Sequence, residues 1–311
     1  MGGLIALDWG TSSLRAFRFD GAGRLAETRA RPWGIRHLPE GGYDAALAGI
    51  TAGWPALPRL ACGMVGSRNG WREMPYLDLP ASAAQLGDAL GAVRAADGLD
   101  VHLIPGLRDP RGPDVMRGEE TQLLGALAAQ PALADDCTFI LPGTHSKWAT
   151  VRDGAVTGFR TLMTGELFAL LRQHSILGAT GAAPADDAQA FARGVAAARD
   201  SGAAGALSRL FSARTLMLDG ALAPASVPDY LSGLLIGEEF RAALADGLAR
   251  TDAPLQLLGD DALCERYRRA AALFGITLPA PIADAAAQGL WRLALQAGLL
   301  HRTTLEETHP C

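Results

Sequence analysis

The chain has 311 residues, 49% of them hydrophobic and 20% charged, the balance of a soluble globular protein with length for two domains. Its formal net charge of −5 argues against the basic stripe of a nucleic-acid-binding surface, though not against a local basic pocket for an anion. No run approaches the ~20 apolar residues of a transmembrane helix. The apolar run Leu4-Ile5-Ala6-Leu7 stops at Asp8, too early for a signal-peptide core, and Ala6 stands where a myristoylation motif has Ser or Thr. Cys62, Cys137, Cys264 and Cys311 are scattered without a CxxC pair, as expected of reduced thiols in a cytoplasmic protein.

In chain order, Leu4–Asp8 reads as a buried strand and Ser13–Phe19 as a second. The turn Asp20-Gly21-Ala22-Gly23 leads into a third strand over Arg24–Ala30. A helix is expected over Tyr43–Gly53. The strand Leu60–Val65 runs into the loop Gly63-Met64-Val65-Gly66-Ser67, and a helix is expected over Ala81–Ala96. Val101–Ile104 is a strand stopped by Pro105-Gly106; Gly118–Gln130 has a helical pattern.

The opening arrangement then recurs. Thr138–Leu141 is an apolar strand, Pro142-Gly143-Thr144-His145-Ser146 a polar turn, and Lys147–Arg152 and Ala155–Thr161 are strands joined by Asp153-Gly154. Gly10-Thr11 precedes Asp20-Gly21 by the same spacing that separates Gly143-Thr144 from Asp153-Gly154, so one supersecondary unit is present twice. Beyond it, Ala182–Ala206, Tyr230–Ala249 and Ala283–Leu300 read as helices. Leu255–Leu258 reads as a strand, Asp260 or Asp261 caps a helix over Ala262–Phe274, and Thr303–Cys311 is expected to fray. Strands alternating with helices in both halves make the class α/β.

Asp8-Trp9-Gly10-Thr11-Ser12-Ser13 places a carboxylate at a strand end, then a glycine, then three hydroxyls. A triphosphate with its Mg²⁺ asks for that set: an acid for the metal or its waters, and uncharged donors for phosphate oxygens. An ordinary turn at a hairpin would look similar. Gly143-Thr144-His145-Ser146-Lys147 repeats the donors and exchanges the acid for a cation. No P-loop motif is present, the Gly21/Gly23 pair lies in a hairpin turn, and the histidines have no metal-binding spacing.

Six segments resemble the 2-dehydro-3-deoxygalactonokinase family of the sugar kinase, actin and chaperone ATPase superfamily: Asp8–Arg15, Gly63–Ser67, Val115–Leu123, Leu141–Trp148, Phe159–Leu167 and Leu231–Gly237. The resemblance implies a duplicated, ribonuclease-H-like, two-lobed sugar kinase/actin fold with an interlobe active-site cleft. Residues 1–133 would form the N-terminal lobe with the first phosphate loop and the sugar-acid loops. Residues 134–311 would form the C-terminal lobe with the second phosphate loop and the adenosine loop, the final helix packing back towards the first lobe. It implies Mg²⁺-ATP-dependent phosphorylation of the terminal hydroxyl of 2-dehydro-3-deoxy-D-galactonate. The partners are ATP and a small sugar acid, with no nucleic acid and no membrane; a homodimer is left open. On this reading Gly10, Thr11, Ser12, Ser13, Gly143, Thr144, His145, Ser146 and Lys147 contact phosphates. Asp8 serves the metal, and Gly259 with Asp260 takes the adenosine side, where the family more often has a small hydroxyl residue after the glycine. Gly66, Ser67, Arg68, Arg160, Thr164 and Glu166 face the sugar acid.

A carboxylate on the substrate calls for a guanidinium; Arg68 and Arg160 are the candidates, with Arg15 and Arg117 placed nearer phosphate or solvent. The base that accepts the hydroxyl proton is sought at Gly118-Glu119-Glu120, where a loop enters a helix. Glu119 aligns with Leu123, Ala126 and Leu127, and Glu120 with Met116, Leu124 and Leu127, so both lean to the apolar side, where burial raises a carboxyl pKa. Glu119 is preferred, Glu120 next, and Asp114 a distant third. The same Gly-x-Glu-Glu start suits a phosphate-ester or polyphosphate hydrolase, and a gluconate-derived epimer is a further acceptor. A sugar-sensing repressor is disfavoured because strand one begins at residue 4, where a DNA-binding helix would precede it; an actin-like filament is the remaining alternative.

Overall fold

The computed structural model describes residues 2–179, 181–250 and 253–300. Its first stretch carries strands β1 (Leu4–Trp9), β2 (Leu14–Phe19) and β3 (Leu25–Arg31), helix α1 (Gly42–Ile50), strands β4 (Arg59–Cys62), β5 (Tyr76–Asp78) and β6 (Ala81–Ser82), helix α2 (Ala83–Asp88), strands β7 (Gly91–Arg94), β8 (Asp100–Leu103), β9 (Gly106–Asp109) and β10 (Asp114–Met116), and helix α3 (Glu119–Ala129). Then come β11 (Asp136–Leu141), β12 (Ser146–Arg152), β13 (Ala155–Leu162), α4 (Thr164–His174), α5 (Ala188–Arg199), α6 (Ser212–Leu218), α7 (Val227–Ala245), β14 (Leu255–Leu257), α8 (Asp261–Ala272) and α9 (Ala285–Gln296). Contacts divide the described chain into unit 1, residues 2–134, 154–157 and 284–300, and unit 2, residues 135–153 and 158–283.

Unit 1 is built on a six-stranded sheet in the order β3-β2-β1-β4-β8-β7. β1 is almost wholly buried, because it is hydrogen-bonded to β2 on one side and β4 on the other and covered on both faces. Ile5, Leu7, Trp9, Leu14, Leu47 and Ile50 share one core cluster. α9 packs on α3, β1 and β4 from the same unit. A smaller sheet, β10-β9-β5, stands beside the first.

The strand order of unit 2 is β14-β11-β12-β13. It repeats β4-β1-β2-β3: an antiparallel meander with a parallel strand added beside its first member. The hairpin turn of this copy has Asp153 at φ 49° and Gly154 at φ 73°, the left-handed pair that matches strand twist. α7 is buried nearly all round, with α5 and α8 packed against it. Among the described residues no helix is long and apolar enough to cross a membrane.

Several expectations need correction. The helix over Ala81–Ala96 exists only as α2; its second half is β7, held by ladder bonds to β8. The strand after Leu60 ends at Cys62 and gives way to a tight 3-10 turn. Strands β5, β9 and β10 and helices α4 and α6 had no expectation. The segment Thr303–Cys311, Cys311 included, lies outside the described residues.

Both units close through glycines that let helix backbones touch. A Cβ on Gly125 would meet the Ala285 carbonyl oxygen at 1.8 Å, and one on Gly289 the Thr121 oxygen at 1.8 Å. In unit 2, Gly194 and Gly233 play the same part against Tyr230 and Phe191. Gly289→Ala is therefore expected to destabilise the protein by about 1–3 kcal/mol or more, since backbone cannot step aside. Gly112→Ala, in open space, should leave the melting temperature unchanged in the same calorimetric comparison.

Candidate active site

In unit 1 three chemistry-bearing segments converge at the carboxyl ends of β1 and β4. Asp8 lies opposite Arg15 in the β1–β2 register. The Arg15 Nε–H donates to Asp8 Oδ2 at 3.1 Å, with a second bond from Nη2. Asp8 Oδ1 accepts, among the described residues, only from the Cys62 thiol, at 3.9 Å. The Gly10–Ser13 turn is closed by Gly10 N–H donating to the Ser13 carbonyl at 2.9 Å. Its carbonyls at Gly10 and Thr11 accept from Ile35 and Arg36. Gly34 backs the turn so closely that a Cβ would lie 2.3 Å from Ser12 N, and the Ser12 and Ser13 side chains face solvent.

The second segment is the Gly63–Arg68 loop. Gly63 has φ 90°, and a Cβ there would lie 2.8 Å from the Trp9 carbonyl oxygen. Ser67 is buried and Arg68 exposed. The third is the start of α3. Gly118, at φ 110°, abuts Gly63, and Glu119 and Glu120 follow. Glu119 is half-buried and its Oε2 accepts from the Arg117 backbone N–H at 3.0 Å. Glu120 is fully buried; it accepts from Gly118 N–H at 2.6 Å and from the Thr121 hydroxyl at 3.1 Å. Burial, reinforced by the charge of Glu119, pushes its carboxyl up to about 7.

In unit 2 the turn Pro142–His145 joins β11 to β12, and the N-terminus of α4 sits directly on it. Gly165 makes this possible: a Cβ would lie 2.4 Å from the Gly143 carbonyl oxygen. Glu166 N–H donates to the Thr144 carbonyl at 2.9 Å, and the His145 ring pairs with the Glu166 carboxylate. Ser146 is buried, and Lys147, 4% exposed, reaches back to the His145 carbonyl at 3.4 Å. Gly259 lies against Pro142, and Asp260 caps α8 by accepting from Leu263 N–H at 3.0 Å. Arg160 is exposed and paired with Asp246 at the end of α7, away from Glu166.

Beside this turn opens a cavity of ≈ 410 Å³ whose walls include Gly143, Thr164, Phe168, Asp229, Ser232 and Tyr267. Asp229 accepts from Asp187 N–H at 2.6 Å and from Arg266, whose Nε–H also reaches Ser232 at 3.1 Å. Under the turn lies Glu239, 1% exposed. It accepts from Ser146 Oγ at 2.9 Å, Trp148 Nε1 at 3.0 Å and Tyr267 OH at 2.6 Å, and also from Thr164. Burial raises its pKa against the lowering by these four donors. One carboxylate thus ties the turn to two walls of the cavity. The sequence reading missed it, although Glu239 falls among Ile236, Phe240 and Ala243 on an apolar helix face. It also missed Asp229 and Arg266.

Two copies of a β-meander, each with a Gly-Thr turn after its first strand, are the ground plan of sugar kinases and actin-like ATPases. The family model of 2-keto-3-deoxy-galactonokinases matches residues 8–293. A Rhizobium meliloti (strain 1021) protein named probable 2-dehydro-3-deoxygalactonokinase is 40% identical over 309 residues, spanning 93% of this chain and 97% of its own. The 2-dehydro-3-deoxygalactonokinase of Escherichia coli (strain K12) is 38% identical over 288 residues, 91% and 94% of the two chains. A crystal structure of a Sinorhizobium meliloti protein provisionally given the same name matches with a TM-score of 0.84 at 39% identity, over 94% of this chain and 98% of that one. The chain belongs to the 2-keto-3-deoxy-galactonokinase family.

Two predictions follow from the buried acids. Glu120 has a folded pKa near 7 and an unfolded one near 4.5, so between those pH values the folded state binds more protons. Its burial therefore costs little at pH 4.5, and stability falls as pH rises towards 7. Glu120→Gln abolishes that contribution: its melting temperature relative to wild type should climb from pH 5 to pH 8, and a pH-independent difference would refute the titration. Glu239→Ala leaves four buried donors without an acceptor and should cost about 2–5 kcal/mol in denaturant unfolding.

Proposed function

We propose that the protein transfers the γ-phosphoryl group of ATP to the terminal (6-) hydroxyl of 2-dehydro-3-deoxy-D-galactonate, as a step in galactonate breakdown. The observation that carries the reading is the unit 2 turn of donors, Gly143–Lys147, opening beside a cavity of ≈ 410 Å³ in a chain of this family. The cavity has the size and the mixed walls of a nucleoside site, with Asp229, Ser232 and Arg266 among its polar groups. Leu263, Arg266 and Tyr267 of α8 line it, and Gly259 and Asp260, at the start of that helix, are the proposed adenosine-side residues. Within unit 2, Gly143, Thr144, His145, Ser146 and Lys147 are the proposed phosphate contacts; unit 1 by itself carries a second turn of phosphate donors, Gly10, Thr11, Ser12 and Ser13.

Mg²⁺ fits this arrangement. Among the described residues no group of three His, Cys, Asp or Glu side chains is placed to hold a metal. A nucleotide-borne Mg²⁺ needs no such cage, because it keeps waters and takes one or two carboxylates plus phosphate oxygens. Asp8 supplies that carboxylate: Arg15 occupies Oδ2 and leaves Oδ1 open. The ion would neutralise charge on the phosphates.

Glu119 is assigned as the base. It is half-buried at the mouth of α3, whereas Glu120 is sealed beneath it and holds Gly118. In the step proposed, the Glu119 carboxylate takes the proton of the attacking hydroxyl, the O6–Pγ bond forms and the bond from Pγ to the β-bridging oxygen breaks, releasing ADP. In unit 1, Gly66, Ser67 and Arg68 are the proposed acceptor contacts.

A coupled ADP-release assay over 2-keto-3-deoxy acids tests the reading. Release should depend on the sugar acid and be fastest with the galactonate-derived epimer. Equal release without any acid would mark a hydrolase instead. Glu119→Gln should lower kcat by ~10²–10⁴ with ATP affinity little changed, and Asp8→Asn should also lower kcat strongly in a folded protein.

A further inference from the structure

Arg117, the residue before Gly118, was expected near phosphate or solvent. It is not in solvent: it is 9% exposed, and no ion pair to it is found among the described residues. Its Nη2 donates to the Met74 carbonyl at 2.8 Å, and its guanidinium carbon lies 4.4 Å from the centre of the Tyr76 ring. Nε and Nη1 are buried and have no protein partner. Glu119 and Glu120 turn back to the backbone N–H groups of Arg117 and Gly118.

Gly66 lies next to Nη1, where even a Cβ would come within 3.2 Å. Next in the chain is Ser67, 8% exposed, whose hydroxyl is buried with no partner. A buried guanidinium without an anion is costly, and so is a buried hydroxyl without a hydrogen bond. Two such groups around one glycine form a set of donors that an anion would satisfy.

We propose that Arg117 and Ser67 together read the carboxylate of the phosphoryl acceptor. The assignment rests on the acceptor being a sugar acid, as proposed above. A carboxylate suits the geometry. Whichever hydrogen of Nη2 the Met74 carbonyl takes, one edge of the guanidinium keeps two parallel N–H groups, the spacing of two carboxylate oxygens. The stacking on Tyr76 and the bond to Met74 hold that edge in a fixed plane, so little rotamer entropy is lost on binding. Arg68, the earlier candidate, is exposed, and Arg160 is engaged by Asp246.

The test compares two acceptors: 2-dehydro-3-deoxygalactonate, and the analogue in which the C1 carboxylate is a primary alcohol. Wild type should prefer the acid by about 10- to 100-fold in kcat/KM. Arg117→Met should lose most of that preference by raising KM for the acid, while KM for ATP and activity on the analogue stay near wild type. Arg117→Lys, which keeps the charge without the fork, should fall between them and covers a failure of the methionine variant to fold. Ser67→Ala removes an unpartnered buried hydroxyl, so it should melt at or above the wild-type temperature and yet raise KM for the acid severalfold. Equal losses on acid and analogue in the Arg117 variants, an unchanged KM for the acid in Ser67→Ala, or equal wild-type use of both acceptors would overturn the assignment. Failure of wild type to turn over any sugar acid would overturn the proposed function itself, and this site with it.

Discussion

The chemistry of unit 1 depends on the contact between two glycines. Gly63 touches the Trp9 carbonyl, and Gly118 touches Gly63, both at positive φ. A side chain at either position would be strained by the backbone angle and would wedge the segments apart. Because neither has one, the end of β1 with Asp8, the loop after β4 with Ser67, and the start of α3 with Arg117, Glu119 and Glu120 occupy one small region. Glu120 then fastens the arrangement by accepting from the Gly118 N–H. Each of these groups is delivered by the end of a strand or helix, and rigid elements rather than long loops set their positions.

Unit 2 reaches a comparable result by other means. Its turn is pinned from above by α4, through the Gly165 approach and the Glu166 backbone bond, and from below by the Glu239 carboxylate. A carboxylate accepts only, and here every neighbour is a donor, so the network has one arrangement without conflict. The two units thus share a strand plan and a Gly-Thr turn while differing in how the turn is braced.

The repeated meander was legible because its signals are local: apolar runs bounded by Asp-Gly and Gly-Thr turns. α7 and α8 were legible as helices too, the second with a cap read as Asp260 or Asp261 and found at Asp260. The failures have physical causes too. Alanine-rich 81–96 carries helix propensity, but Gly91–Arg94 gains ladder bonds to β8, and that tertiary pairing prevails. α4 went unread although Phe168 and Leu171 recur at helical spacing and pack against a core cluster; none of its residues is fully buried. Strands of three or four residues such as β5 and β10 are below the length at which alternation shows. Among site residues, Asp8 and the turn hydroxyls announce themselves by spacing. Arg117 does not, because its setting comes from Met74 and Tyr76, forty residues earlier.

The cysteines gain a use from their placement. Cys62, Cys137 and Cys264 are buried. Burial lifts Cys62 well above its ordinary range, with Asp8 and Glu120 adding to the effect, and lifts Cys137 to about 12 and Cys264 to about 11. Thiolate is the reactive form, so in the folded protein all three are doubly shielded, by lack of access and by protonation. Alkylation at any of them then times the opening of its surroundings: Cys62 reports on β4 of unit 1, Cys137 and Cys264 on β11 and α8 of unit 2. Without any label being introduced, the chain contains separate chemical clocks for its two halves, and a ligand that steadies only one of them would slow only that clock.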